Sequence, residues 1–429
     1  MAFPPQLEIV PLAAPVEARL TIPGSKSITN RALILAALAS GRTTLTGALW
    51  SEDTEVMVDC LRRLGFAVAV AADPGEASNR TITVDGQGGT IPNAGTRTAP
   101  LELHVGNAGT AARFVAALVC LGRGSYRLTG IPRMHERPQR GLLDALVALG
   151  YEIESTDGRL PAVVHGAGPR PGRVKVSVAE SSQYASALLL AAAHGGWQVD
   201  IDTGDGGASR DELPYVEMTS ALVQRFPKHG GHFTIEPDAS SGSYFWGARA
   251  LLAGRAETAS SVIEIADWPT SGFQIDADFP GRLPLPVELS RERDLGDSIM
   301  TAIVMAPFAA HPTRFTELGR LRVQECERVL ALRTELAKCG ARIREIGDTL
   351  EVEPGPLRGA RIATYRDHRM AMCFAMLGLA VPGMVIEDPA CVRKTFPNFF
   401  AKLGGTSPGG LGATLRDPAT GAPLDPAGF

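Results

Sequence analysis

One pattern recurs six times along this chain: a helix-length run of small and apolar residues, a Gly-marked turn, then a short strand. The copies are SITNRALILAALASGRTTLTGA (27–48), GTAARFVAALVCLGRGSYRLTG (109–130), SSQYASALLLAAAHGGWQVDID (181–202), SSGSYFWGARALLAGRAETASSVIEI (240–265), DSIMTAIVMAPFAAHPTRFTELG (297–319) and HRMAMCFAMLGLAVPGMVIED (368–388). Helices apolar on every side have no solvent face, so these six belong in interiors. Each opens on Ser, Thr, Asn, Gly, Asp or His, residues that suit a helix start. A second, amphipathic helix with a Leu-Gly or Cys-Gly stop follows most copies, as in TEVMVDCLRRLGFAV, RGLLDALVALGYEI, RVLALRTELAKCGARI and NFFAKLGG. The order β-α-β-α-β-β, repeated, predicts an α/β protein whose buried helices are wrapped by other helices and sheets. The fourth copy departs from it: ADWPTSGFQIDADFPGRLPLPVELSRERDLG, after Ile265, has no clear second helix.

A chain of 429 residues exceeds one ordinary core and predicts two domains. The best boundary is IEPDASSG (235–242), between the third and fourth copies. Residues 72–104 read as loop with a short strand at Thr81–Val84, and the Gly/Pro-rich stretch 405–429 is expected to be disordered. A net charge of -4 without charge blocks argues against nucleic-acid and membrane-surface partners. Apolar runs such as Ala185–Ala193 fall short of the ~20 residues of a membrane span, and MAFPPQLEIV lacks the pattern of a signal peptide. The 6 cysteines are scattered, with no CxxC pair and no His at metal spacing, which predicts reduced, mostly buried thiols, a cytoplasmic protein and no metal.

Of 42 Lys and Arg only 6 are Lys, so the remaining lysines are enriched for positions where Arg does not serve. Lysine is a compact point charge with a mobile proton, whereas Arg is a planar, permanently charged fork. Lys26 and Lys394 both lie in polar motifs. Those motifs cluster where the apolar helices open: PGSKSITNR (23–31), GNAGTAAR (106–113), SSQ (181–183), GDS (296–298) and YRDHRM (365–370). PRMHERP (132–138), LRVQECER (321–328) and RKTFPNF (393–399) lie in the connections. Free N–H groups at a helix start favour phosphate or carboxylate. Lys26, Arg31, Arg113, Arg133, Arg328, Arg369 and Lys394 add cations, so a net-negative chain focuses positive potential on an anionic ligand.

PGSKSITNRALILAALASGRTTLTGALWSEDT, GNAGTAARF, PRMHERP, DASSGSYFWGA, YRDHRMAMCFAM and KTFPNFF closely resemble the 5-enolpyruvylshikimate-3-phosphate synthase family, in the right order and over roughly residues 8–404. The resemblance implies two inside-out α/β barrels of three repeats each, with a cleft between them that closes on substrate. One domain would combine 1–22 with 237–429, and the other would be 23–236. The implied reaction moves the enolpyruvyl group of phosphoenolpyruvate to the 5-hydroxyl of shikimate 3-phosphate through a tetrahedral ketal, with no cofactor and no metal. The implied partners are these two small molecules, and a monomer is expected. By motif, Lys26, Gly109, Arg133, Gln183, Arg328, Arg369 and Lys394 resemble the phosphoenolpyruvate site. Lys26, Ser27, Arg31, Ser181, Ser182, Gln183, Asp297 and Gln324 resemble the shikimate-phosphate site. Asp297 resembles the base for the hydroxyl, and Glu325, with Lys26, the group serving the methylene carbon. Neighbouring cations work against Glu325 as an acid.

Three departures fall on the acceptor side. Arg320 and Gln324 stand at the Asn and Lys of the usual N-x-R-V-K-E, the loop SRDELPY sets Ser209 three residues farther than usual from Tyr215, and the fourth repeat is short. Phe114 follows GTAAR where Pro is common, which is expected to reshape the phosphoenolpyruvate pocket. The alternatives are a sibling transferase acting on a UDP-amino sugar, a paralogue with another hydroxylated anionic acceptor, and a non-catalytic repeat scaffold.

Overall fold

The computed structural model describes residues 3–202 and 213–429; Ser209 and most of the SRDELPY loop lie outside the described residues. The chain divides into two compact units, Gly24–Glu236 and Met1–Pro23 with Pro237–Phe429.

Three buried helices form the centre of each unit. In Gly24–Glu236 they are Lys26–Leu38, Gly109–Cys120 and Ser182–Gly195, packed on one another. In the other unit they are Ala239–Ala253, Ile299–Met305 and His368–Gly378. Every residue of Gly109–Cys120, Ile299–Met305 and His368–Gly378 is buried, as all-round apolar sequence requires. The amphipathic helices Glu52–Arg63, Arg140–Ala148, Leu213–Arg225 and Arg328–Lys338 follow their buried partners with mixed burial. Helices within and sheets around them make each unit an inside-out α/β barrel.

The sheets share one plan. Leu101–His104, Arg123–Thr129, Ala162–Ala167 and Glu152–Ser155 are neighbours in that order, the first pair parallel and the others antiparallel. The same plan orders Glu288–Ser290, Thr313–Thr316, Thr349–Glu353 and Arg342–Ile346. Repeats three and four keep only the parallel pair among the described residues: Gly172–Ser177 with Trp197–Asp202, and Glu17–Leu20 with Val262–Ile265. In the fourth repeat the 3-10 turn Ile275–Arg282 stands where a second helix would be.

Two strands are exchanged. Glu17–Leu20 leads into the buried helix Lys26–Leu38, yet pairs with Val262–Ile265 in the other unit's fold. Gly231–Thr234 leads into Ala239–Ala253, yet pairs with Arg42–Leu49 in Gly24–Glu236. The sixth repeat closes in a similar way, with Gln6–Ile9 from the N-terminal stretch between Met384–Glu387 and Leu415–Arg416.

That sheet corrects the expectation of disorder for residues 405–429. Leu415–Arg416 pairs with Gln6–Ile9, Leu411, Ala413 and Leu415 are buried, and the Phe429 ring meets Phe3 and Phe400 at 5.0 and 6.2 Å. A few apolar side chains at alternate positions suffice to hold a Gly/Pro-rich segment once a preformed edge receives them. Among the described residues, no helix is long and apolar enough to cross a membrane. All 6 cysteines are free, with Cys60, Cys120, Cys339 and Cys373 buried.

Candidate functional site

In Gly24–Glu236 the openings of the three buried helices adjoin. Asn30 Nδ2 donates to Thr110 Oγ1 at 2.7 Å, and Arg31 Nη2 donates to Ser186 Oγ at 3.1 Å. The Arg31 guanidinium is buried, also donates to Thr219 Oγ1 (2.7 Å) and the Ser27 carbonyl (2.9 Å), and lies 5.2 Å from the Phe114 ring centroid. Phe114 therefore braces Arg31 by a cation–π contact. Lys26, the first residue of its helix, sets Nζ 3.2 Å from Asp53 Oδ2. Ser181 caps the helix Ser182–Gly195 by accepting from Gln183 N at 3.2 Å, and Ser182 is buried.

Gly109 opens its helix without a side chain for a steric reason. A Cβ there would meet Arg137 Nη2 at 2.8 Å, Arg113 Nη1 at 2.9 Å and Gln183 Oε1 at 3.0 Å. The glycine thus leaves backbone N–H groups open between two guanidiniums, an arrangement suited to an anion. The buried Gln183 Oε1 has no hydrogen-bond partner among the described residues. Arg133 is exposed and pairs with Glu136, three residues on. Arg137, which sequence reasoning passed over, is the member of PRMHERP beside Gly109, held by donating to the Asn107 carbonyl at 3.0 Å. Its signal was available: Pro138 ends the short helix Pro132–Glu136 and fixes where the next side chain leaves it.

The second unit gathers more charge. Asp297 stands two residues ahead of Ile299–Met305. Its carboxylate meets Arg369 Nη2 at 3.0 Å, Arg291 Nη2 at 3.3 Å and Arg328 Nη1 at 3.7 Å. Burial pushes its pKa up, but Arg369, Arg328 and Arg291 together overcome this and hold the carboxyl well below the usual range. The buried Arg328 guanidinium also meets Asp367 Oδ2 (2.7 Å) and Glu325 Oε2 (2.8 Å), and donates to Gln324 Oε1. Burial works against the Arg328 charge; Asp367, Glu325 and Asp297 more than restore it. Lys394 Nζ reaches Glu325 Oε1 at 3.1 Å, and the buried rings of Phe396 and Phe399 that follow pack on Phe245 and Tyr244 and fix its place. Gln324, where the family resemblance expects Lys, lies between Asp297 Oδ1 (3.5 Å) and Arg328. The extra cation at Asp297 is Arg291, from the charged-looking run RERDLG.

Asp276, on the irregular fourth repeat, was also missed. It is buried and accepts from Gly296 N (2.7 Å), Ser298 N (3.2 Å), Ser298 Oγ (2.6 Å) and Ser240 Oγ, so it holds the turn that carries Asp297. Burial raises its pKa against the hydrogen bonds from Ser240 and Ser298, and Asp297 adds to the rise.

Arg369 follows a tight turn. Asp367 N donates to the Thr364 carbonyl at 2.8 Å, and the central Tyr365 and Arg366 have φ of 55° and 58°. Two consecutive left-handed residues characterise a type I′ turn, normally given to Asn and Gly, and each non-glycine there costs about 1–2 kcal/mol. Asp367 then caps the helix His368–Gly378, accepting from Arg369 N at 2.9 Å.

A central carboxylate among three guanidiniums, beside a second carboxylate held by Lys and Arg, combines anion binding with groups able to move protons. The family model of EPSP synthase (3-phosphoshikimate 1-carboxyvinyltransferase) matches residues 12–274 and 281–403. The 3-phosphoshikimate 1-carboxyvinyltransferase of Opitutus terrae is 40% identical over 94% of this chain and 98% of its own. That of Nostoc punctiforme is 38% identical over 92% and 98%. The solved EPSP synthase of Acinetobacter baumannii, 20% identical, superposes with a TM-score of 0.70 over 96% of this chain and 100% of its own, which supports the fold. Matched along nearly its whole length by model and relatives alike, the chain belongs to the EPSP synthase (3-phosphoshikimate 1-carboxyvinyltransferase) family.

Proposed function

We propose that this chain transfers the enolpyruvyl group of phosphoenolpyruvate to the 5-hydroxyl of shikimate 3-phosphate and releases phosphate. The observation that carries this reading, beside family membership, is Asp297 ringed by Arg291, Arg328 and Arg369 with the Glu325–Lys394 pair adjacent. In the addition step the hydroxyl oxygen bonds to C2 of phosphoenolpyruvate, its proton passes to Asp297, and the C3 methylene gains a proton from Glu325 or Lys26. In the elimination step the C2–O bond to phosphate breaks and C3 returns a proton, leaving the enol ether. Arg328 and Arg369 are the anion grips, and substrate carboxylate or phosphate competes with Asp297 for them. Each guanidinium drawn away strengthens Asp297 as a base, so binding and proton abstraction are coupled. Ser27, Arg31, Ser181, Ser182 and Gln183 are assigned to the acceptor, with Gln324 giving neutral amide contacts in place of a charge.

Phosphate release from phosphoenolpyruvate should require shikimate 3-phosphate. Release supported only by a UDP-amino sugar or another hydroxylated anion would overturn the acceptor assignment.

Lys26→Arg and Lys394→Arg should each lower kcat/KM by roughly 10-fold or more, since a charge-assisted contact is lost to geometry rather than to charge. Each ammonium lies against a carboxylate oxygen, Lys26 at 3.2 Å from Asp53 and Lys394 at 3.1 Å from Glu325. Turnover within two-fold of the unmodified enzyme in both variants would show that neither lysine acts in the reaction.

A further inference from the structure

We infer that Glu335 is a positioning residue for this reaction: from the far end of the helix Arg328–Lys338 it clamps the left-handed turn that aims Asp367 and Arg369. The inference rests on the function proposed above. Glu335 is buried, and no motif singled it out. Its Oε1 accepts from the Tyr365 hydroxyl at 2.7 Å, and its Oε2 accepts from Ala363 N at 3.2 Å. Lys338 Nζ, 2.9 and 2.8 Å from the two oxygens, supplies the countercharge. Tyr365 is 44% exposed, and its hydroxyl bond to Glu335 anchors it.

One helix therefore grips the segment 363–369 at two places. Arg328 at its first turn holds Asp367, and Glu335 two turns later holds Ala363 and Tyr365. Within the gripped segment Tyr365 and Arg366 are both at positive φ. Neither favours that conformation, so without the Glu335 clamp the turn relaxes toward ordinary φ. Asp367 and Arg369 would then shift against Arg328 and Asp297. A packed core offers no reason to place two strained residues beside a buried carboxylate; aiming a guanidinium does.

The test uses the full chain and three variants: Glu335→Gln, Tyr365→Phe, and Tyr365→Phe combined with Arg366→Gly. Tyr365→Phe should lower kcat/KM roughly 10-fold through the lost charge-assisted bond, mainly in the phosphoenolpyruvate KM, and speed amide exchange across residues 363–369. Arg366→Gly, which makes positive φ favourable, should restore most of both losses. Full activity in a folded Tyr365→Phe, or failure of the glycine to rescue it, would overturn the inference. Tyr365→Phe keeps the test open if Glu335→Gln does not fold. If the unmodified chain turned over no shikimate 3-phosphate, the functional reading would fail. The exchange data and phosphoenolpyruvate affinity would then still decide whether the clamp aims Arg369.

Discussion

Arg328→Met is expected to lower turnover on the order of 10³-fold and the unfolding midpoint by about 6–20 °C. The guanidinium is buried and serves Asp367, Glu325 and Asp297 at once. Methionine fills the space but leaves Asp367, itself fully buried, without its cation. Removing one partner of a buried pair costs about 3–5 kcal/mol, because the other charge has no water to return to. The same loss frees Glu325 toward Lys394 alone and removes one anion grip. Calorimetry and steady-state kinetics check the two effects separately. A variant with unchanged midpoint and a tenth of normal activity would show that the network around Arg328 is incidental.

Asp297→Asn should lower kcat on the order of 10²–10⁴-fold, the range for loss of the base proposed above, and lower the midpoint at neutral pH as well. Arg328 keeps Asp367 and Glu325, but the buried Arg291 and Arg369 lose the carboxylate they share. The pH dependence carries a sign. In the folded chain the Asp297 carboxyl lies below its ordinary value of about 3.9, so its stabilising contribution is present above that value and is lost as pH falls through the folded value. The asparagine variant should therefore lose less stability on acidification than the unmodified enzyme. Identical acid-unfolding profiles would mean the three guanidiniums do not hold that carboxylate ionised.

Much of this was legible in the sequence because it depends on local pattern. All-round apolar helices have one stable place, the interior, and their openings announced themselves by residue type. Lys26, Arg31 and Arg369 stand at such openings, while Arg328 and Lys394 stand in polar motifs of the connections. What escaped depends on tertiary company. No motif singled out RERDLG, yet Arg291 is buried against Asp297. Asp276 lies in a repeat that lost its hairpin, where no periodicity marked it. Arg133 and Arg137 are equal candidates as letters, and the end of a five-residue helix separates an exposed side chain from one beside Gly109. Four-residue strands such as EARL and GHFT carry too little pattern to name their partners.

The exchanged strands impose an order on folding. Gly24–Glu236 is continuous in the chain, and its last strand, Gly231–Thr234, emerges from the ribosome at its end, so this unit can close while translation continues. The N-terminal stretch cannot. Glu17–Leu20 waits for Val262–Ile265, and Gln6–Ile9 waits for Met384–Glu387, nearly a full chain length later. These two strands thus find their places only after distant partners have been made, and their unpaired edges stay open throughout the interval.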